Sequence, residues 1–502
     1  MGNKLNNNAG EDKSGKNPNL NSEQNDPIYF YENPKTNTEN KNNKIKLEHN
    51  PLISENNSDP LNKYDIIKEL GRGSYAVVRL VKHKLTGDLR AMKTIRRINS
   101  KDDIDIINEI NILMKLDHPN IVKIFEFYVT DLRYYLITEY CPGGSLFTLI
   151  KGHKGPFTEI ETSYIMHQLF SVVNYCHKMK IIHRDLKPEN ILINKNENGF
   201  LTIKVCDFGT SLSFNRGDIQ KQLVGSVYYM APEVIKKKYN LKCDIWSCGV
   251  IMYILLTGGF PFQGSNKKET FNAILSGEYD KSRLGKRCRA CVDLIGKTLE
   301  KNIDKRIRAD EALEHKWFSI YKSKEIRIDI EDPKVIEKHI INLTQYKKSN
   351  GLIELLLAYL IHNHPNLDEI NLAAKIFEKI DIKGNGKIKK EEFYLGLSSF
   401  YSNENLKNDV DKIFENKMYI DCEEFIKAAV DKNIFLSENL LKFAFDYLDK
   451  REKGEINEED IYTIVKETNL NREEIEEFKK IVEENKPFNF KAFCGVMKNF
   501  LN

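Results

Sequence analysis

Hydrophobic and polar positions change texture three times along this chain. Residues 1–60 are rich in Asn, Lys, Glu and Ser, with few apolar positions and no period. Such a segment buries too little surface to offset its ordering entropy, so a disordered tail is expected over 1–60. From Tyr64 onward, strand-like runs at 64–70 and 77–81 flank Gly71-Arg72-Gly73-Ser74-Tyr75-Ala76. Further strands are expected at Ala91-Met92-Lys93, 134–140 and 203–206, with a helix carrying Ile107, Ile110 and Leu113 at helical spacing. Two continuous apolar runs, 249–256 and 352–361, fall short of the roughly 18 residues a membrane span needs and read as buried helices. Beyond Trp317-Phe318, Val335, Ile336, His339, Ile340, Leu343 and Tyr346 share one helix face, with Lys334, Lys338, Lys347 and Lys348 around it. The last third repeats a helix–loop–helix unit. The pattern divides the chain into a tail (1–60), an α+β domain (61–320), a helical junction (321–365) and an all-α domain (366–502).

Composition adds limits. Hydrophobic residues at 41% and charged ones at 30% suit a soluble globular chain. A formal net charge of +4 over 502 residues gives no reason to expect a nucleic-acid partner. Of nine cysteines only Cys288 and Cys291 have CxxC spacing, and one such pair reads as ordinary helix residues rather than a zinc site. The odd count points to reduced thiols and a cytoplasmic chain. Gly2 is placed for N-myristoylation, although Asn6 stands where Ser or Thr is usual. One acyl chain would add at most weak, reversible peripheral membrane contact.

The candidate chemistry centres on His183-Arg184-Asp185-Leu186-Lys187-Pro188-Glu189-Asn190. A carboxylate at 185, a cation two positions on and an amide five positions on are what moving a phosphoryl group onto a hydroxyl requires. Asp185 can orient and accept the hydroxyl proton, Lys187 can steady the phosphate, and Asn190 can hold a divalent metal. Upstream, the glycines at 71 and 73 let backbone N–H groups approach a phosphate, and Lys93 follows on the next strand. Downstream lie Asp207-Phe208-Gly209, Ala231-Pro232-Glu233, Asp244 within Asp244-Ile245-Trp246, and Asp304-Lys305-Arg306.

This series resembles the protein kinases, and its order over about 260 residues matches theirs. The resemblance implies a bilobal fold and transfer of the ATP γ-phosphoryl group, with Mg2+, to protein hydroxyls. It implies an ion pair between Lys93 and Glu109, another between Glu233 and Arg306 that anchors the far lobe, and Mg2+ held by Asn190 and Asp207. It implies a nucleotide site formed by Leu70, Gly71, Gly73, Val78, Ala91, Lys93, Glu139, Cys141, Glu189, Asn190, Leu192 and Asp207, with Thr138 guarding the pocket behind. Ala76 stands where a third glycine is usual. Lys187 and Ser226 resemble the serine/threonine class. Glu189 is one of two acidic positions that usually select basic substrates; the other is Ser145 here, so a weakened arginine preference is expected. Arg184 normally seeks an anion on the activation segment, where Thr210, Ser211 and Ser213 offer hydroxyls for phosphorylation.

The C-terminal third resembles the junction and calmodulin-like domain of calcium-dependent protein kinases. In that family the junction either blocks the kinase or is gripped by the EF-hand domain, so an intramolecular partnership is implied. The repeats end at Glu392, Glu424, Asp460 and Ala492, giving steps of 32, 36 and 32 residues. Hands two and four therefore lack about four residues each, the material of an ion-binding loop, against the 12 residues a calcium loop needs. The first loop offers Asp381, Asn385, Gly386 and Glu392, but Lys383 and Lys389 occupy ligand positions. The third offers Asp449, Gly454 and Asp460, with Arg451 and Lys453 in between. At most one or two weak calcium sites are expected. Three readings stay open: a kinase regulated by its EF-hand domain, an active kinase whose EF-hand domain is a calcium-independent module, and an ATP-binding scaffold without turnover.

Overall fold

The computed structural model describes residues 29–31, 50–56, 58–73, 76–97, 100–195, 201–215, 218–285, 287–322, 333–346, 351–365, 367–381, 386–398, 406–415, 417–468 and 470–501. The expectations for Gly2, for the loop tip at Ser74 and Tyr75, and for Asn385 and Lys383 lie outside the described residues.

Strand β1 (Tyr29–Tyr31) lies apart from the main sheet. β2 (Ser54–Asn56), β3 (Tyr64–Arg72), β4 (Ala76–His83), β5 (Leu89–Arg96), β6 (Ile124–Val129) and β7 (Arg133–Glu139) form one sheet in the order β2-β6-β7-β5-β4-β3. β2 runs parallel to β6; every other pair is antiparallel. The helix Ser100–Lys115 packs on this sheet through Ile106, Ile110 and Leu113, which are buried.

The helical lobe is built on Glu159–Lys178 and Lys242–Thr257. The first is fixed at its start by a capping box, Thr158 with Glu161, which satisfies two otherwise orphaned N–H groups. The second is buried from Cys243 to Leu256 and apolar on every side over its second half, as the 249–256 run predicts. Gly258 ends it at φ +72°, the left-handed conformation that glycine adopts without a Cβ penalty. Short strands β8 (Ile181–Ile182), β9 (Ile191–Lys195), β10 (Leu201–Val205), β11 (Leu212–Ser213) and β12 (Val224–Ser226) carry the loops between these helices, pairing β9 with β10 and β8 with β11. Cys288 caps the helix Arg289–Thr298 and its thiol donates to Glu159 (3.1 Å), so the CxxC pair is structural.

The C-terminal domain has its own core, from Ile336 to Leu501. β13 (Lys387–Ile388) pairs with β14 (Ile420–Asp421), and Ile456 N–H donates to the Phe488 carbonyl at 3.0 Å, so the hands associate two by two. In the shortened hands, Asp421 and Asn489 cap the following helices, accepting from Glu424 N (2.9 Å) and Ala492 N (3.1 Å). The junction helix Pro333–Gln345 buries Ile336, His339, Ile340 and Leu343 against the helix Cys422–Ala429. Asn342 donates to the Ala429 carbonyl (2.8 Å), and Lys338 pairs with Asp431 (3.1 Å) and Glu369 (3.4 Å). This junction helix is gripped by the EF-hand domain.

A second helix, Gly351–Asn363, joins the two cores. Tyr359 stacks on Phe443 and Tyr447 of the C-terminal domain, at 5.3 and 4.0 Å between ring centres. On the other side His362 Nε2 donates to the Ile124 carbonyl (2.9 Å), Arg90 donates to the Asn363 carbonyl, and His364 bonds Asp88 (2.8 Å).

One expectation needs correction. Residues 50–56, assigned to a disordered tail, are ordered between the two domains. Ile53 is buried, Asn50 donates to the Met114 carbonyl (2.9 Å), and the Pro51 carbonyl accepts from Tyr447 (2.8 Å). Tyr29–Tyr31 likewise forms a strand. Neither segment has a core of its own. Both are ordered by distant partners, which local composition cannot register.

Candidate active site

The catalytic run lies between β8 and β9, where the chain is held in uncommon conformations. Arg184 has φ 71°, and Asp207, just beyond β10, has φ 63°, both left-handed for residues with a side chain. Buried Asp244 holds the first of these, accepting from His183 N (3.0 Å), Arg184 N (2.9 Å) and His177 Nε2 (3.0 Å). Burial alone would raise its pKa, but His177 and these N–H groups outweigh it and keep the carboxyl below its ordinary value. In the sequence Asp244 stands out only as a member of the downstream series; its role as the clamp on the loop's backbone depends on contacts with residues about sixty positions earlier.

Asp185 is buried and fixed at both oxygens. Oδ1 accepts from Ser226 N (2.8 Å), and Oδ2 from Lys187 Nζ (2.7 Å). Lys187 also donates to Ser226 Oγ (3.1 Å), so Ser226 belongs to the site as well as marking its class. Asn190 Nδ2 donates to the Asp185 carbonyl (2.9 Å), which spends the amide's donor and leaves its oxygen as an acceptor suited to a divalent cation.

Across the cleft, Lys93 Nζ sits 2.6 Å from Glu109 Oε1 and 3.2 Å from Asp207 Oδ1. Burial pulls the Lys93 pKa down, but Glu109 and Asp207 outweigh it and hold the ammonium charged. Lys93 is the main reason the Asp207 carboxyl lies below its ordinary value; burial opposes it. An ionised Asp207 with a half-exposed side chain and the Asn190 amide, whose backbone carbonyl accepts from Cys206 N (2.9 Å), together make a donor set that fits Mg2+. Phe208 is fully buried against the His183 ring at 4.8 Å between centres, so this carboxylate faces the cleft side of the motif.

The predicted nucleotide wall comes together through strand register. Gly71 pairs with Val78, Val78 with Lys93, and Ala91 with Thr138, whose hydroxyl donates to the Ala91 carbonyl (3.4 Å). Gly73 N–H donates to the Ala76 carbonyl (2.8 Å), closing the turn, and Leu70 stays exposed at the rim. Leu192 enters from the helical lobe, bridged to Ser145. The Glu139 side chain turns to Lys204 (2.9 Å), leaving only its backbone for a nucleotide, and burial pushes the Cys141 thiol pKa up.

The two positions expected to select basic substrates are Ser145 and Glu189. Ser145 caps the helix Leu146–Gly152, accepting from Thr148 N (3.2 Å). Glu189 has a buried carboxylate oxygen with no hydrogen-bond partner, and burial raises its pKa. Arg184 donates to Gln222 Oε1 (2.9 Å), Tyr239 OH (3.4 Å) and the Thr210 carbonyl. The Thr210 and Ser211 hydroxyls bond the His183 carbonyl, and Ser211 is buried. The guanidinium is thus met by neutral acceptors, and two of the three candidate phosphorylation hydroxyls are engaged.

In the first EF-hand loop, Asp381 accepts from Gly386 N (2.7 Å) and Glu392 is buried. The third loop is filled from within. Arg451 places Nε and Nη2 on the two oxygens of buried Asp460, both at 3.2 Å, and Nη1 on Glu459 at 2.7 Å. Asp449 accepts from Lys453 N (2.9 Å) and Gly454 N (2.7 Å). A guanidinium thus occupies both oxygens of the carboxylate at the twelfth position of this loop. The sequence marks Arg451 as a repulsive neighbour; the structure shows it as the resident cation.

The chain in which these groups are gathered, between a six-stranded sheet and a helical lobe, is a serine/threonine protein kinase that uses ATP and Mg2+. A protein kinase domain model matches residues 64–318. Calcium-dependent protein kinase 4 of Plasmodium falciparum is 34% identical over 487 residues, covering 92% of each chain. Calcium-dependent protein kinase 4 of Plasmodium berghei is 35% identical over 436 residues (83% of this chain, 82% of the relative). Calcium-dependent protein kinase 5 of P. falciparum is 34% identical over 456 residues (86% and 77%). The chain belongs to the calcium-dependent protein kinase family.

Proposed function

We propose that Asp185 is the general base for phosphoryl transfer to serine and threonine hydroxyls, and that the EF-hand domain acts on the kinase by docking, with its third hand independent of calcium. The observation that carries the first part is the double anchoring of Asp185 by Lys187 and Ser226 opposite a formed Lys93–Glu109 pair. Bound ATP with Mg2+ supplies the phosphoryl group and neutralises its charge. Asp185 orients the substrate hydroxyl and accepts its proton; Lys187 supports the transferred group; Lys93, held by Glu109, positions the nucleotide; Asn190 and Asp207 hold the metal.

The relatives' names speak of calcium dependence. Here the Arg451 clamp favours calcium independence for the third hand, while Asp381 and Glu392 leave the first as the candidate for weak binding. The partnerless Glu189 oxygen favours substrates with a basic group near the acceptor, weakly selected because Ser145 caps a helix instead of offering a second carboxylate. Acylation at Gly2 would add peripheral membrane contact, which mass spectrometry of the N-terminal peptide tests.

A kinase assay in chelator and in calcium, with Asp185→Asn as control, tests the proposal. The expected result is a loss of at least 100-fold in kcat for Asp185→Asn, in the range a positioned base supplies, with residual calcium effects confined to the first hand. Full activity in Asp185→Asn would overturn the assignment of the base.

A further inference from the structure

β12 is bound to the catalytic carboxylate. Ser226 N–H donates to Asp185 Oδ1 (2.8 Å), and Lys187 bridges Asp185 Oδ2 (2.7 Å) to Ser226 Oγ (3.1 Å). Gly225, at φ +110°, holds the strand tightly on the catalytic loop, since a Cβ there would lie 2.6 Å from the Arg184 carbonyl. β12 belongs to none of the lobe's other sheets, so its partner is what completes it. That partner is β1, nearly two hundred residues earlier in the chain. Tyr29 pairs with Ser226, Phe30 with Gly225 and Tyr31 with Val224, antiparallel.

From this pairing we infer that the Val224–Ser226 edge is a strand-addition surface for extended peptide, and that residues 29–31 occupy it as a built-in competitor of the protein substrate. The inference rests on the proposed role of Asp185. Residues opposite one another in an antiparallel pair have Cα atoms about 4.5–5.5 Å apart. Tyr29 is therefore one strand spacing from the residue whose N–H is on the base. A substrate that delivers a hydroxyl to Asp185 must bring its backbone along the same edge, and two chains cannot share it.

The occupant is suited to block without being consumed. Tyr-Phe-Tyr contains no serine or threonine. Nor does it mimic a basic substrate: in the sequence it is flanked by Glu23, Asp26 and Glu32, and no lysine or arginine falls between Lys16 and Lys35. Its hold is main-chain pairing, which needs no particular side chains. Segment 32–49 then joins it to the ordered residues 50–56, so the competitor stays at high effective concentration.

The test is a double replacement, Phe30→Pro with Tyr31→Pro, in the full chain. Adjacent positions alternate between pairs that exchange hydrogen bonds and pairs that do not, so two neighbouring prolines remove the needed N–H in either register. Two readouts are taken. Hydrogen exchange at 224–226, without nucleotide or substrate, reports the pairing itself and needs no activity; it should quicken in the variant. Steady-state kinetics with a serine-containing peptide should show KM for the peptide falling about 10-fold, equivalent to ~1.4 kcal/mol, with kcat and KM for ATP unchanged. Unchanged exchange at 224–226 would overturn the inference, as would faster exchange with an unchanged peptide KM. Failure of the Asp185 assignment would look different: Asp185→Asn would keep its activity while the exchange result still decided the pairing.

Discussion

Arg90 is a kinase-side residue that meets the helix carrying the regulatory domain. It lies on β5, buried, with its guanidinium 4.1 Å from the centre of the Phe125 ring. It donates to the carbonyl of Asn363, the last residue of the helix that joins the two domains. In Arg90→Met the apolar contact with Phe125 survives and the charged donor disappears. Asp88, which Arg90 also meets at 3.4 Å, keeps His364 (2.8 Å) and Thr86 (2.6 Å). The loss across the interface is one hydrogen bond from a charged donor to a buried carbonyl, about 1.5–3 kcal/mol; the longer pairing with Asp88 and the cation–π contact with Phe125, both within the kinase lobe, are lost with it. About 2 kcal/mol corresponds to a roughly 30-fold shift toward the undocked state. Hydrogen exchange measured on the full chain should quicken by that order in Gly351–Asn363, while the core helix Lys242–Thr257 stays protected. Arg79→Met, which removes only a 3.4 Å contact to Thr94, is the control. Unchanged exchange in Gly351–Asn363, in a variant whose kinase lobe melts normally, would refute the reasoning.

Further outcomes follow from other sites. Replacing Arg451 and Lys453 together by Asp should give the third hand a calcium-binding signal in calorimetry that is absent from the same loop of the parent chain; no gain would show that the clamp is not what excludes the ion. Glu233 meets Arg306 through both carboxylate oxygens, one bond at 3.0 Å, in a buried pair over Trp246. Arg306→Leu leaves Glu233 charged and buried and should cost about 3–5 kcal/mol in chemical denaturation. His118 Nδ1 accepts from Asn120 N (3.0 Å) and Nε2–H donates to Ser171 (3.0 Å), and burial holds its pKa down at about 3. The unfolded chain takes up this proton near 6.5 and the folded chain only near 3, so the contribution is complete above 6.5 and is lost as pH falls toward 3. Between pH 7 and 5 this amounts to about 2 kcal/mol, and His118→Gln should flatten the stability profile across that interval.

The parts legible in the sequence are those whose chemistry is local. Asp185, Lys187 and Asn190 are close neighbours in the chain, so their meeting follows from one loop, and Lys93 is placed by a strand of fixed pitch. Glu233 with Arg306 was legible through family resemblance, although 73 residues separate them. The interface was not. Arg90 reads as a strand cation and His364 as a loop histidine, because what each meets lies hundreds of residues away. Ser54–Asn56 has the composition of a solvated tail and becomes a strand only because β6 offers an open edge. Arg451 was half legible: a cation in a calcium loop is visible, but its reach to Asp460 depends on a loop geometry that the sequence does not state.

The parallel pairing of β2 with β6 has a consequence for how the molecule is made. When the kinase lobe has left the ribosome, residues 50–56 are already available, but the surface that holds them is incomplete. The Pro51 carbonyl waits for Tyr447, 396 positions later, and the Asn363 amide that donates to the Leu52 carbonyl comes 311 positions later. Until the last third is synthesised and folded, β2 is held on β6 by kinase-lobe partners alone, such as the Met114 carbonyl, and an edge that it leaves open is the kind of surface that recruits other strands. A truncated chain ending after the kinase domain should therefore be the more aggregation-prone form of this protein, because it lacks the C-terminal contacts that steady the strand covering the sheet edge.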